Sequence, residues 1–456
     1  MGGTTAVYGK WVLAYEDGAA RILTDRWVVV EGDTIAAIVR DRPSADRVID
    51  GRDNLVLPGL INLHNHTVSA LLFRGMTEDR PSVSWATEMI YGLLMPVGDM
   101  TANVLTAEEL RAAIALGLLE IIKGGTTTLM DVFRYSHNAT IDVAREMGLR
   151  LYGTPYLFST AKMTLGADGK PAYETATDAA SDLTRAIDLF RKHDGTANGR
   201  IRIALGPHGV DSCDPELLAA TRRAASELGC LVNIHLGQSR SELDLVRERY
   251  GRSPAECLEY AGLLGPDVLA AHCIYLTDAE LALLRRTDTT IVNCPQTFAR
   301  GGVTAPFHRF AGHGIRTVVG TDGYTMDMVG ELRAAGLISK IDAQQSALAT
   351  AADLIHAATL GGAEALRRTD LGRIAPGARA DLLAIDMMKP HLQPVSDPIK
   401  TFLWNARGGD VSAVVVDGEV LVDRGVYQKG DEAAIIAAGA QAIGKVWDHA
   451  RATGVL

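Results

Sequence analysis

The sequence predicts an α/β fold: a (β/α)8 TIM-type barrel with a small β-sandwich domain built from both chain ends. Three observations predict it. Apolar strands alternate with amphipathic helices roughly eight times between residues 56 and 370. Both ends read instead as short strands joined by turns of glycine and aspartate. Histidines and an aspartate stand where the predicted barrel strands run out, as they would if those ends surrounded one mouth. The chain therefore divides into 1–55 and 371–456, the two parts of the small domain, and 56–370, the barrel.

Taken in order, Trp27-Val28-Val29-Val30 and Ile35-Ala36-Ala37-Ile38-Val39 flank Glu31-Gly32-Asp33, a hairpin signal. Far along the chain, Ala413-Val414-Val415-Val416 and Val420-Leu421-Val422 flank Asp417-Gly418-Glu419 in the same way. The first barrel strand is the apolar run from Leu57 to His66. Thr106, with Glu109 three residues on, forms a capping box opening a helix over 107–123, and Gly124-Gly125 stops it. Strands at 126–131, 150–153 and 201–205 alternate with helices at 141–147, 178–193 and 215–229. Later strands run into His235, His272, Asn293 and Asp322, and a helix over about 431–452 closes the chain. The stretch 74–101, with Trp85 and Tyr91, shows no regular period and reads as a long loop, a lid or substrate wall. An open doubly wound sheet is disfavoured because no Gly-rich phosphate loop follows the first strand.

At 456 residues and 47% hydrophobic, the chain can bury a core without disulfides or structural metal. Its five cysteines, Cys213, Cys230, Cys257, Cys273 and Cys294, are odd in number and lack CxxC pairing, which points to reduced thiols in a cytoplasmic protein. A net charge of −10 without any Lys/Arg run argues against nucleic acid and membrane as partners. No signal peptide or membrane span is expected. A small-molecule substrate is the partner this composition leaves.

His64 and His66, spaced i, i+2, project from one face of a strand and could supply half of a four-ligand metal site. His208, His235, His272 and Asp322 end later strands. Singly, each reads equally well as a satisfied core histidine or a helix cap. Together, at strand ends and not at strand starts, they point to one site.

These motifs resemble a known family. Pro58-Gly59-Leu60-Ile61-Asn62-Leu63-His64-Asn65-His66, Gly124-Gly125-Thr126-Thr127-Thr128, Asn233-Ile234-His235, His272-Cys273, Asn293-Cys294-Pro295, Gly320-Thr321-Asp322-Gly323 and Pro376-Gly377-Ala378-Arg379-Ala380-Asp381-Leu382 are similar to those of the amidohydrolase superfamily. More narrowly, they resemble its cytosine-deaminase and s-triazine hydrolase branch. The resemblance implies that His64, His66, His235 and Asp322 hold metal, that Asp322 accepts the proton of the attacking water, and that His272 sits over the reacting carbon. Binuclear relatives carry a bridging lysine at the fourth strand. Here that strand leads to Gly206-Pro207-His208, so one divalent ion is implied, Zn²⁺ ahead of Fe²⁺, Co²⁺ or Mn²⁺. The implied reaction is attack of metal-bound hydroxide on an electrophilic carbon with cleavage of a C–N bond. The family also suggests a homo-oligomer.

One departure bears on the substrate. Deaminases of this branch carry a glutamate three residues after the fifth-strand histidine, and this chain has Gln238. An amide cannot donate and recover a proton near neutral pH. Attack on a ring C=N would lose its general acid, so an amide, urea or carbamate-like bond is preferred, as in phenylurea and thiocarbamate hydrolases. The alternative is an aminohydrolase or chlorohydrolase acting on a triazine, pyrimidine or purine. A remote alternative is a non-catalytic scaffold, which the full set of four ligands speaks against. Glu242, seven residues after His235, is expected to face solvent from a helix, with the alternative that the chain bends back and Glu242 or His272 covers the lost role. Where the triazine branch often has an Asn-rich stretch, Tyr324-Thr325 follow the Gly-Thr-Asp-Gly motif, and either could line the pocket. His208, Gln238, Trp85 and Tyr324 are the substrate-binding candidates, with a barrel-rim hydrogen bond an equal reading of His208. Cys273 and Cys294 read as packing residues.

Overall fold

The computed structural model describes residues 3–51, 53–76, 79, 85–134, 136–167, 169–175 and 180–456. Its centre is a ring of parallel strands: Leu60–Asn65, Thr126–Phe133, Arg150–Leu157, the broken strand Ile201–Ile203 with Gly206–Pro207, then Val232–Leu236, Val268–His272, Thr290–Asn293 and Thr317–Val319. Neighbours in sequence pair side by side within each half. Bridges between Leu205 and Val232 and between Asn65 and Asp322 join the halves, so the ring closes. Inside it Ile61, Leu63, Met130, Tyr152, Ala204, Leu269, Ala271, Val292 and Val318 pack as one cluster, the filled interior expected of such a barrel. The closing seam depends on Gly320, where a Cβ would lie 2.8 Å from the backbone N and O of His64.

The helices start where short polar side chains can accept the unpaired N–H groups of a first turn. Thr106 and Glu109 form the predicted capping box of Ala107–Lys123, and Asp214 caps Pro215–Leu228, which begins on proline. The closing helix, Glu432–Ala452, is capped by Asp431 and packs against Ala107–Lys123, with Gly439 over Leu116. Among the described residues no helix is long and apolar enough to cross a membrane.

Both ends of the chain build one nine-stranded sheet. Its seam is Asn54–Pro58 running antiparallel to Leu382–Asp386. The sheet doubles over as a sandwich: Gly418 of the C-terminal hairpin turn meets the carbonyl of Gly32 in the N-terminal one, and Val7, Val28, Ile35, Leu382 and Val415 share a core. The Arg379-Ala380-Asp381 motif fastens this domain to the barrel. Asp381 takes the fully buried Arg150 guanidinium at 2.8 and 3.1 Å, and Asp417 adds a bond at 3.0 Å.

Two parts of the mouth differ from the sequence reading. Residues 85–104 are not irregular but a helical run, Trp85–Met89, Ile90–Leu94 and Met95–Val104, with a π turn at its centre. The cause is local. Pro96 has no N–H to donate, and the Met95 N–H reaches back to Ile90 O, five residues earlier. Gly92 and Pro96 had masked the apolar period. The second difference is an antiparallel hairpin, Thr160–Leu165 with Pro171–Thr175, inserted after the third barrel strand.

Candidate active site and metal centre

Three imidazoles converge at the mouth with their tautomers set by the backbone and one amide. His64 Nδ1 faces Asn233 Oδ1 at 3.1 Å, His66 Nδ1 faces Val132 O at 3.1 Å, and His235 Nδ1 faces His208 O at 2.7 Å. Each partner oxygen can only accept, so each Nδ1 carries the proton and each Nε2 presents a lone pair. His66 and His235 Nε2 lie 3.4 Å apart, an approach that either a metal ion between them or a proton on His66 Nε2, favoured by the Asp322 carboxylate, relieves. His64 Nε2 is buried with no hydrogen-bond partner among the described residues. One ligand atom from each of His64, His66 and His235 lies within 4.8 Å of the others, and likewise for His64, His272 and Asp322. Buried nitrogen and carboxylate donors at this spacing fit a divalent cation.

Asp322 Oδ1 stands 3.2 Å from His66 Nε2 and 3.7 Å from His64 Nε2. Burial raises the pKa of its carboxyl, but His272, His66 and His235 overcome this and hold it down at about 2. Burial pushes His272 down to about 4 and His64 well below the ordinary histidine value, so both are neutral at pH 7. The strand ends are strained at these points: His272 has φ 78° and Asp322 φ 59°, left-handed values that cost a non-glycine residue about 1–3 kcal/mol each. The Asp322 position is locked by backbone bonds to the first strand, Asp322 N to His64 O at 2.9 Å and His66 N to Asp322 O at 3.2 Å.

Beneath the histidines lies a polar layer that the sequence reading did not single out. Asp131 Oδ1 accepts from Asn65 Nδ2, from the Thr67 N–H and from Thr67 Oγ1, pinning the turn that follows His66. Thr321 Oγ1 donates to Asn65 Oδ1 at 2.9 Å, tying the first strand to the eighth. Asn62, Asn65, Asn233 and Thr321 were legible only as motif neighbours of the histidines.

A cavity opens above the cluster. Leu72, Met89, Met95, Phe133 and Phe298 give it an apolar wall, and His208, Gln238 and Tyr324 also line it. His208 makes the rim hydrogen bond, Nδ1 to Ser212 Oγ at 2.7 Å, and also lines the cavity. Thr325 is not in the lining. The Trp85 side chain lies outside the described residues. Glu242 is corrected: it does not face solvent but is 1% exposed, accepting the N–H groups of Gly237 at 3.0 Å and Gln238 at 2.8 Å. Ser239 caps the helix Arg240–Tyr250, and this turns Glu242 inward under the preceding loop. Tyr156, which sequence reasoning missed, reaches the cavity from the third strand. The five cysteines are all buried and unpaired.

Residues 55–421 match the Amidohydrolase family model. The chain belongs to the amidohydrolase family. This amidohydrolase is 33% identical over 414 residues to a 5-methylthioadenosine/S-adenosylhomocysteine deaminase of Thermococcus sibiricus, covering 90% of this chain and 92% of that protein. It is 30% identical over 424 residues to a 5'-deoxyadenosine deaminase of Methanosarcina mazei, covering 91% and 92%. Its structure is similar to that of a zinc-bound atrazine chlorohydrolase of Arthrobacter aurescens, with a TM-score of 0.86 at 26% identity over 96% of this chain and 100% of the other. The fold also matches an adenosine deaminase of Xanthomonas campestris with bound zinc, at TM-score 0.86 and 24% identity over 97% and 98%. The superfamily, the triazine-hydrolase-like branch, the barrel and the hydrolase class read from the sequence are borne out.

Proposed function

We propose that this amidohydrolase replaces an exocyclic group on a carbon of an N-heterocycle by hydroxyl, releasing ammonia when that group is an amine. The observation that carries the reading is the convergence of three Nε2 lone pairs and Asp322 under an apolar cavity that also holds Gln238 and His208. The relatives named for purine nucleosides and a triazine support it.

His64, His66, His235 and Asp322 are assigned as ligands of one divalent ion, Zn²⁺ on the strength of the zinc-bound relatives. Such an ion supplies Lewis acidity and brings the pKa of a coordinated water to about 7. Asp322, ionised above pH 2, takes the proton of the attacking water at its carboxylate. His272, neutral at pH 7, offers an N–H to charge developing on the oxygen at the reacting carbon. Gln238 hydrogen-bonds the ring without delivering a proton. The Met and Phe wall excludes bulk water and packs on a flat ring. The enzyme is taken to be cytoplasmic and oligomeric, as its net charge and free thiols suggest for the first and its family for the second.

One observation favours a second reading. Gln238 removes the proton shuttle that attack at a ring C=N uses, whereas an amide, urea or carbamate carbon needs no ring protonation. The zinc-loaded enzyme should be assayed on aminopurines, aminopyrimidines, substituted triazines, aryl ureas, carbamates and amides. Ammonia, alkylamine or halide release from a ring supports the first reading. Hydrolysis of acyl substrates alone overturns it in favour of the second.

A further inference from the structure

The third barrel strand, Arg150–Leu157, turns Tyr152, Thr154 and Tyr156 to one face by its period of two. Tyr152 joins the barrel interior, and Tyr156, at the C-terminal end, comes up into the cavity. Its ring stands between three histidines of the site, with centroids 5.9 Å from His66, 5.1 Å from His208 and 5.9 Å from His235. The residue is 9% exposed.

Its hydroxyl has no acceptor among the described residues. Among the described residues its only hydrogen-bonding neighbour is His66 Nδ1, at 3.4 Å. That nitrogen is 3.1 Å from Val132 O, a carbonyl that can only accept, so Nδ1 bears the proton and cannot receive another. The phenol oxygen is at most a weak second acceptor for Nδ1–H. Its own proton is left directed at the cavity. A buried O–H without an acceptor is disfavoured, and such groups are normally satisfied. The missing acceptor belongs to what the cavity holds.

We propose that Tyr156 is a further substrate-contacting residue, whose hydroxyl donates a hydrogen bond to a ring nitrogen of the heterocycle. It thereby selects rings with an acceptor at that edge and polarises them through that hydrogen bond. The inference rests on the heterocycle reading given above. It goes beyond that reading in naming the donor and the feature recognised. Phenylalanine at this position keeps the ring stacking and removes only the donor, so the contact can be isolated.

The test uses zinc-loaded enzyme and the heterocycle of the assay panel that binds it most tightly, with a set of analogues in which each ring nitrogen in turn is replaced by CH. Dissociation constants are measured for wild type and Tyr156→Phe, with zinc content and melting temperature as controls. One deaza analogue should bind wild type about tenfold to a hundredfold more weakly than its parent. Tyr156→Phe should weaken the parent by a similar factor and bind that analogue as well as wild type does. Unchanged discrimination in a Tyr156→Phe enzyme with full zinc overturns the proposal. Failure of wild type to bind any heterocycle while hydrolysing acyl substrates overturns the underlying reading instead, and this proposal with it. Tyr156→Leu, which also removes the ring, should bind all analogues worse and still show no preference for the nitrogen.

Discussion

Glu242 supports Gln238 from behind: its buried carboxyl group accepts the Gln238 N–H at 2.8 Å and the Gly237 N–H at 3.0 Å. The loop carrying the cavity amide is therefore held by a side chain that itself never reaches the cavity lining. Glu242→Ala should leave two interior N–H groups without partners, at a cost of about 1–3 kcal/mol each. The melting temperature should fall and turnover should drop while zinc content stays constant. Loss of metal in this variant would show that the loop positions the ligands too.

The same residue sets a pH dependence. Burial, aided by the Asp211 carboxylate, raises the Glu242 pKa from 4.5 to about 8. The folded protein then holds a proton that the unfolded chain has lost, so the contribution of Glu242 to stability is full below pH 4.5 and declines as pH rises towards 8. Thermal unfolding between pH 5 and 8 should show this slope in wild type, and Glu242→Gln should flatten it. An equal slope in both would assign the dependence to other groups.

Gln238→Glu places a titratable carboxyl where the cavity has only an amide. For an amino-substituted ring, turnover should rise at least tenfold, within the roughly 10²–10⁴ that a general acid contributes. The rate profile should also gain an alkaline limb as the new carboxyl ionises. An acyl substrate should show little change. If no ring substrate gains, proton delivery is not what limits this enzyme.

Much of this was legible in advance because it depends on local chemistry. The capping box of Thr106 and Glu109, the hairpin turns at Gly32-Asp33 and Asp417-Gly418 and the runs ending in His64, His235 and His272 are written within a few residues each. The direction of Glu242 was not, because it depends on how Ser239 caps the helix and on what lies under the loop. Tyr156 was hidden for a similar reason. A tyrosine at a strand end means nothing until Val132 O is seen to claim the His66 proton. The helical cover of the mouth escaped because Pro96 and its π turn break the period by which helices are recognised.

The assigned ligands make a direct prediction. His64→Ala or Asp322→Ala should reduce bound zinc to background and activity by more than about a thousandfold, since the metal supplies the chemistry. Asn233→Ala is the finer test. Asn233 Oδ1 only orients His64, and losing such a partner costs about tenfold to a hundredfold in metal affinity. Zinc titration should show this weakening, with activity restored at saturating zinc. Wild-type affinity in Asn233→Ala would mean that the His64 tautomer is set elsewhere.

The two covers of the mouth share one anchor. Tyr91, in the π turn, and Tyr173, in the hairpin, both donate to Oδ2 of Asp211, Tyr173 at 2.8 Å. Arg249 completes the cluster, donating to Asp211 O at 2.8 Å with its guanidinium over the Tyr173 ring. Asp211 is 1% exposed and lies three residues after His208, whose Nδ1 is held by Ser212. The covers and a cavity histidine therefore hang on one short rim turn. Asp211→Ala should free both covers at once, leaving one buried and one half-buried phenol without their acceptor. Amide exchange over 85–104 and 160–175 should speed up together, and KM should rise about tenfold with a smaller change in kcat, because substrate enclosure is lost but the histidine cluster is not. Tyr91→Phe and Tyr173→Phe should each give part of the effect, and neither should add to Asp211→Ala, since all three remove the same bonds. Independent exchange of the two covers in Asp211→Ala, or additive effects in the double variants, would show that the covers are anchored separately.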